Sequence, residues 1–480
     1  MKKLNELFDC NYDVEIKGIK INSKEVEKGD LFVCTKGVNA DRHDFINDAI
    51  KNGASAIVVS RDVNFDIPTI RVEDTNKELP LICSKFYDHP EEKLTIIGIT
   101  GTDGKTSTAT IIQTLIGNDK CGYIGTNGRS CYKFNKEINN TTPDSDKLYK
   151  YLYDFVEAGC KYVVMETSSE AFFRHRLDNL KFDGGIITNI TREHLNIHKT
   201  FENYIDCKSN LFRQVKENGF SILNIDDEYY DQILKATHTK VFTYGCNKNA
   251  TIQILETNIK SYKTDIKFKY LDKIYNIESP LLGNFNVYNL IAGLLCAISL
   301  GFKLEDIEKN IRHIKISGRL DILPNIGQKF TVMVDYAHTP NGIKNLLDFV
   351  HTLNINRSIV VIGSAGERDY LKRPIMGKCV TDNASYAIFT YEDPRSEDPL
   401  DIINMMISEI KDRTNYEIVV DRREAIQKAI NIAKENDIVL ILGKGNETYQ
   451  KLKNETIYFN DIEEAMRALN SRLAKDKISI

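Results

Sequence analysis

The stretch Thr95–Leu115, TIIGITGTDGKTSTATIIQTL, decides the fold. A β-branched apolar run enters a glycine-rich turn, and the turn leaves into apolar residues at helical spacing. That order of strand, Gly-x-x-Gly-Lys-Thr and helix is the context of a phosphate-binding loop. Gly101 and Gly104 let backbone N–H groups turn inward around an anion, and Lys105 can reach terminal phosphates. Thr106 or Thr108 can offer a hydroxyl to a phosphate-bound Mg²⁺ while the helix N-terminus faces the same charge. The general pattern G-x-x-x-x-G-K-[ST] is met imperfectly, because Ile99 stands at its first position and the nearest glycine is Gly98. The expected nucleoside triphosphate site comprises Gly101, Thr102, Asp103, Gly104, Lys105, Thr106 and Ser107.

Outward from the loop, 480 residues exceed what one hydrophobic core serves, so several domains are expected. A net charge of -4, from 64 basic and 68 acidic residues, gives no electrostatic case for a nucleic-acid partner. Ten cysteines without a C-x-x-C pair suit a reducing compartment and buried thiols. The start, MKKLNELFDCNYDVEI, lacks a long apolar core, and no apolar run approaches membrane-spanning length. A cytoplasmic protein, with no membrane insertion, is the expectation.

Three units are expected, all of α/β class. Residues 1–93 carry short strands in GDLFVCTKG and GASAIVVS around a helix in FINDAIKNG, and close at the Pro- and charge-rich segment Asp88–Lys93. Within INSKEVEKGDLFV, Ser23 and Lys24 either approach a ligand phosphate or form a solvated turn. Residues 94–317 alternate strands (KYVVME, DGGIITNI, FSILNID, TKVFTYG) with helices (SDKLYKYLYDFVEAG, TFENYIDCKSNLFRQVKEN), which predicts a largely parallel covered sheet. Strand-like alternation between Ala250 and Pro280 predicts hairpins at one side of that sheet, followed by a helix over NFNVYNLIAGLLCAISLG ending at Gly301. Residues 318–480 repeat the rhythm through TVMVDYAHTP, SIVVIGSAG, YAIFTYEDP, YEIVVD and DIVLILGKG, a doubly wound pattern.

Polar groups gather where strands end, which is where ligands sit in open α/β sheets. VVMETSSE supplies Glu166, Ser168 and Ser169; IITNITREHLNIHKT supplies Asn189, Arg192, Glu193 and His194. Glu166 and His194 could approach a Mg²⁺ beside the loop, although His194 could instead cap the following helix. Lys208, on the next helix, reads from residue type alone as an exposed surface lysine. In the third unit the clusters are Asp335–His338, Glu367–Asp369, Glu392–Arg395 and Lys444–Glu447, consistent with a second wall for the nucleotide.

The ordered set GITGTDGKTST, TTPDS, ETSSEAFFRHR, TNITREHLNIH, LLGNFNVYN, SGRLD, VDYAHTPN, GERDYLKRP, YEDPR and GKGNETYQ resembles the Mur ligase family along essentially the whole chain. The similarity is greatest to members that add the third residue of the peptidoglycan stem peptide. It implies three domains: an N-terminal one for the UDP-sugar end, a central P-loop ATPase-like one, and a C-terminal Rossmann-like one for the incoming amino acid. By that resemblance ATP and Mg²⁺ are the cofactors, and the partners are a UDP-N-acetylmuramoyl dipeptide and a free amino acid, handled by a monomer. The resemblance gives Lys105, Lys208 and His338 catalytic roles, with Lys208 carbamylated. It places Thr106, Glu166, His194 and Lys208 on the metal, and Asn286, Arg319 and Asp335 near the nucleotide. Thr141, Thr142, Ser169 and Arg176 would hold the muramoyl peptide, with Ser23 toward its UDP end. Glu392, Asp393, Arg395, Gly443 and Glu447 would bind the amino acid.

The chain departs from the family pattern at five places. Asn22 replaces the usual Asp, Asp103 the loop Asn, and Glu170 the His of a Ser-Ser-His run. The Asp-Asn-Pro-Arg of diaminopimelate-adding members is Glu392, Asp393, Pro394 and Arg395 here, and their Gly-Lys-Gly-His-Glu has Asn446 for its histidine. Arg395 can grip a distal carboxylate through two parallel hydrogen bonds, and Glu447 can accept a distal ammonium. Meso-diaminopimelate is therefore expected ahead of L-lysine; a specialised paralogue using another amino acid, a catalytically silent nucleotide-binding partner, and an Arg395 paired with Glu392 or Asp393 in a solvated cluster are the alternatives.

Overall fold

The computed structural model describes residues 1–37, 40–138, 140–260 and 262–478. Within it, the loop strand Thr95–Thr100 lies inside an eleven-stranded sheet, hydrogen-bonded in parallel to Tyr162–Glu166 on one side and Phe182–Ile187 on the other. Register sets Glu166 opposite Ile99 and Ile187 opposite Thr100. The three carboxyl ends are therefore level, and the residues that follow them meet at the loop.

Both faces of the sheet are covered, as continuous Ile/Val strands require. Helices Lys105–Ile116 and Asn284–Ser299 bury Ile111, Leu115, Leu290 and Leu294 on one side. Helices Ser145–Ala158 and Phe201–Arg213 bury Leu152, Phe155, Leu211 and Phe212 on the other. The expected hairpin strands, Thr264–Tyr270 and Lys273–Ser279, form one edge, and Gly301 follows its helix with φ +92°. One element differs from its expected extent. The helix predicted through Asn218 ends at Arg213, and Val215–Asn224 is a strand. Val215 pairs with Phe182 and Phe220 with Gly184, so the polar Lys-Glu-Asn-Gly segment is taken up as a register shift instead of a last helical turn.

The chain before the loop forms a parallel four-stranded sheet from Gly18–Lys20, Asp30–Val33, Ala56–Val59 and Thr69–Arg71. Helix Thr75–Phe86 packs against it with Pro80 inside, which hides it from any reading by helix propensity. After the central sheet, six strands run in the order Asp321–Ile322, Thr331–Asp335, Ile438–Leu442, Ser358–Ile362, Tyr386–Phe389, Tyr416–Ile418, all parallel but the first. No helix among the described residues is long and apolar enough to cross a membrane.

A buried ion pair ties this last sheet to the C-terminal helix. Arg422 donates from Nε and Nη2 to the two oxygens of Asp461 at 2.8 and 2.7 Å, and from Nη2 to the carbonyl of Leu442 at 2.8 Å. Both side chains are fully buried, so removing one strands the other's charge. Asp461→Ala should lower unfolding free energy by about 3–5 kcal/mol, read as a drop in the urea midpoint.

Candidate active site

The loop owes its shape to close approach. Gly101 has φ +143°, and a Cβ there would collide with Thr188 Oγ1. From the neighbouring strand end, the Asn189 carbonyl accepts from Thr102 N at 2.8 Å, Asn189 Oδ1 accepts from Asp103 N at 3.0 Å, and Thr188 Oγ1 donates to the Asp103 carbonyl at 2.6 Å. Two lysines converge beneath it. Lys105 Nζ donates to the carbonyls of Gly101 and Thr102 at 3.0 and 2.9 Å, and Lys208 Nζ to Gly101 at 2.7 Å. Burial lowers the pKa of both, and for Lys208 the Lys105 charge pushes the same way, holding it well below the ordinary lysine value. Lys208 is thus not the exposed lysine its residue type suggests: it is buried, 4.4 Å from the Tyr204 ring centroid.

The extra negative charge of Asp103 is turned toward the C-terminal unit, where Thr339 Oγ1 donates to its two oxygens at 3.1 and 3.2 Å and Asn341 Nδ2 donates at 3.4 Å. Two further contacts join the same units. Lys372 Nζ lies 2.8 Å from Glu193 Oε1, and Leu195 N donates to Asp369 at 3.2 Å.

Glu166 is buried and accepts from Tyr123 Oη at 2.8 Å and from Thr126 N at 2.9 Å. His194 precedes helix Leu195–His198 with φ +58°, and its side chain makes no capping hydrogen bond. Burial, then the charges of Lys208, Lys372 and Lys105, hold its imidazole well below the usual histidine range, so it is neutral with a free lone pair. His338 is depressed in the same way by burial and by Lys372, and its Nδ1 lies 2.9 Å from the Tyr336 carbonyl. Among the described residues the cluster of acidic and histidine side chains that could share a cation is His89, Glu91 and Glu92, none of which lines a cavity of the site. At the loop the oxygen donors are Thr106 and Glu166, and Glu193, also buried, has an Oε2 with no hydrogen-bond partner. That oxygen-rich set fits Mg²⁺ by its chemistry.

Two cavities meet at the loop. One of about 930 Å³ is lined by Lys105, Glu166, His194, His338, Arg395 and Glu447 among others. The other, of about 490 Å³, is lined by Ser107, Asn189, Tyr288, Asn289, Asp335 and Phe349 among others. Asp103, Gly104 and Arg319 line both. Of the residues expected at Gly101–Ser107 or given site roles by the resemblance, all line one of them except four, while Lys24, Thr108, Arg192, Glu367 and Lys444, also singled out, line neither. Gly101 and Lys208 lie under the loop. Asn286 stands behind Asn289, whose Nδ2 donates to it at 3.2 Å. Ser23 is buried in the turn Ser23–Glu25 of the first unit, its carbonyl accepting from Asn52 at 2.9 Å.

Along the large cavity, Thr142 Oγ1 donates to the Glu166 carbonyl at 2.9 Å, and Arg176 bridges Asp144 at 2.7 Å and the Thr142 carbonyl at 3.1 Å. Thr141 Oγ1 lies 3.0 Å from Thr126 Oγ1, and Ser169 Oγ 3.0 Å from His198 Nε2. On the C-terminal side of the cavity, Arg395 has φ +54° and its backbone N donates to the Lys451 carbonyl at 3.0 Å. The expected alternative, Arg395 paired with Glu392 or Asp393 in a solvated cluster, is not what forms. Both carboxylates are buried, Asp393 pairs with Lys444 at 2.8 Å, and Arg395 Nε is buried with no hydrogen-bond partner. Sequence reasoning missed Asn289 and Lys372 on the cavity walls, while Arg368 falls in the expected cluster Glu367–Asp369. Asn289 could have been found, because it lies three residues after Asn286 on one helix face.

Comparison with known proteins bears on this arrangement. Family models described as "Mur ligase family, catalytic domain", "Mur ligase middle domain" and "Mur ligase, glutamate ligase domain" match residues 15–91, 99–297 and 318–445. The UDP-N-acetylmuramoyl-L-alanyl-D-glutamate--2,6-diaminopimelate ligase of Clostridium perfringens is 40% identical over 473 residues, covering 95% of this chain and 96% of its own. The same-named ligase of Aquifex aeolicus is 39% identical, covering 93% and 92%. A solved structure of a UDP-N-acetylmuramoyl-L-alanyl-D-glutamate--2,6-diaminopimelate ligase superposes with TM-score 0.66 at 27% identity, over 98% of this chain and 99% of that one. A MurF ligase of Thermotoga maritima in complex with ADP shares the fold, with TM-score 0.69 at 19% identity over 99% and 100%.

Proposed function

Because the chain belongs to the Mur ligase family, we propose that it joins meso-diaminopimelate to UDP-N-acetylmuramoyl-L-alanyl-D-glutamate with cleavage of ATP to ADP and phosphate. The observation that carries this reading is a single cavity lined by both Lys105 and Arg395, whose buried Nε has no hydrogen-bond partner. A carboxylate and an amine do not condense spontaneously in water. The dipeptide's terminal carboxylate oxygen attacks the γ-phosphorus of ATP, the bond to ADP breaks, and an acyl phosphate forms. The amine nitrogen then attacks the acyl carbon, phosphate leaves with the bonding electron pair, and the nitrogen loses a proton.

Each wall has a task in that sequence. The adenosine end enters the smaller cavity beside Asn289, Tyr288 and Asp335, with Asn286 holding Asn289 and Arg319 between base and phosphates. Lys105 and the loop N–H groups meet the charge on the moving phosphoryl group, and His338 closes over them from the C-terminal unit. Thr106, Glu166, His194 and a carbamylated Lys208 hold Mg²⁺, which when bound neutralises phosphate charge. Thr141, Thr142, Ser169 and Arg176 orient the muramoyl peptide, whose UDP end runs toward Ser23 in the unit formed by residues 1–93. The unit from 94 to 317 carries the phosphate chemistry, and that from 318 to 480 brings the amino acid. A monomeric, cytoplasmic enzyme goes with this reading, because the proposed substrates are ATP, a nucleotide-linked peptide and a free amino acid.

Phosphate release with the UDP-muramoyl dipeptide, screened across diamino and ordinary amino acids, tests the assignment. Arg395→Ala and Arg395→Lys should reduce kcat/KM for meso-diaminopimelate by about tenfold or more, the scale of a lost charge-assisted bidentate contact. The KM for ATP should change far less. Preferred turnover of L-lysine by the wild-type protein, unchanged by the arginine substitutions, would show that substrate and residue are both misassigned.

A further inference from the structure

Behind the amino-acid end of the large cavity lies a buried cation that the mechanism above does not use. Lys444 is fully buried; its Nζ lies 2.8 Å from Asp393 Oδ1, 2.8 Å from Glu447 Oε2 and 5.2 Å from the Tyr449 ring centroid. Asp393, Glu447 and Glu392 line the cavity, and Lys444 does not. The ammonium thus sits on the protein side of three carboxylates, with the substrate space on the other. Gly443 permits this packing: at φ +112°, a Cβ there would stand 2.7 Å from Glu392 Oε2. Glu392 itself is buried, its Oε2 has no hydrogen-bond partner, and its backbone carbonyl is pinned by Gln450 Nε2 at 2.7 Å.

We propose that Lys444 is a positioning residue of the amino-acid site, fixing Asp393 and Glu447 from behind and offsetting the repulsion between them and Glu392, so that the wall offers a preset anionic patch to a substrate ammonium. The proposal rests on the reading of this cavity as a diamino-acid site. Three carboxylates this close repel one another, and without a neighbouring cation they take up a proton or move apart. A second carboxylate oxygen of Glu447 accepts from Tyr336 Oη at 3.2 Å, so Lys444 and Tyr336 together leave it little freedom. Lys444 contributes no contact to substrate and acts through these groups.

The groups facing Glu392 decide how this appears in a pH profile. Burial raises its carboxyl pKa, Asp393 and Glu447 push the same way, and Lys444 and Arg422 oppose them. Removing the Lys444 charge raises it further, so protonation sets in at higher pH as pH falls. With saturating ATP and UDP-muramoyl dipeptide, Lys444→Met should lose tenfold or more in kcat/KM for meso-diaminopimelate, keep KM for ATP within twofold, and move the acid limb of that profile up by one pH unit or more. Lys444→Arg should keep the limb in place. An unmoved limb in Lys444→Met, or equal loss for ATP and the amino acid, would overturn the proposal. If Lys444→Met does not fold, the charge-retaining Lys444→Arg decides: a limb moved by a unit in that variant rejects it, and an unmoved limb with KM for the amino acid within threefold supports it. Inactivity of the wild-type protein with every diamino acid would instead reject the underlying reading.

Discussion

Lys105→Ala should turn over at about a thousandth of the wild-type rate or less at saturating ATP, the scale at which a lone cation matters in phosphoryl transfer. Three features of Lys105 argue for so large an effect. Its ammonium is folded back on the Gly101 and Thr102 carbonyls, with no carboxylate at ion-pairing distance among the described residues, so its charge is uncommitted. Burial makes that charge costly, which lowers its pKa, and arriving phosphates restore its favourable surroundings. The charge it meets is greatest while the phosphoryl group is moving, so the loss should fall on kcat more than on KM for ATP. Rapid-quench measurement of acyl-phosphate formation isolates this step. Near wild-type kcat in Lys105→Ala would remove Lys105 from the phosphate loop's chemistry.

Why that lysine was legible in the sequence, and others were not, comes down to range. The loop is local: Gly101, Gly104 and Lys105 fall within five residues between an apolar strand and a helical period, so spacing alone reveals them. The alternation of strands with helices is equally local, and it yields the covered central sheet and the doubly wound C-terminal unit. Lys208 was obscured by residue type, although the helix gives a clue: Tyr204, Ile205, Lys208, Leu211 and Phe212 follow the i, i+3, i+4, i+7 period and all are buried. The strand was read in FSILNID but its start from Val215 was masked, because the polar Lys-Glu-Asn-Gly segment belongs to a register shift, which has no period. Long-range charge pairing leaves no trace at all. Lys444 meets Asp393 51 residues away, Lys372 meets Glu193 across 179, and Arg422 meets Asp461 across 39. Likewise the turning of Asp103 toward Thr339 depends on a partner 236 residues on, so the sequence shows an unwelcome charge and only the fold shows its hydrogen-bond donors.

Lys208→Ala should lose about a hundredfold in activity, the upper range for removing a group that supports a metal, and short carboxylates such as formate or acetate should restore part of it. The argument starts from position. Lys208 Nζ lies under the loop, 2.7 Å from the Gly101 carbonyl, on the side where Lys105 already supplies a cation. A second ammonium there opposes Mg²⁺ binding. Burial and the Lys105 charge together favour the neutral amine, whose lone pair can add to CO₂ and release a proton, giving a carbamate whose single negative charge is shared by two oxygens. One repulsive charge would then become an attractive one that, with Glu166 and Thr106, would give Mg²⁺ the oxygen ligands it prefers. Alanine removes both the amine and the carbamate but leaves a space, and a small carboxylate entering it returns the anion without the tether. The two expectations separate the anion from the lysine. Rescue by formate but not by methylamine identifies a missing negative charge, and rescue by methylamine but not formate identifies a missing cation. Full activity of Lys208→Ala without any additive would discard the carbamate and leave Lys208 as a structural anchor of the Gly101 carbonyl.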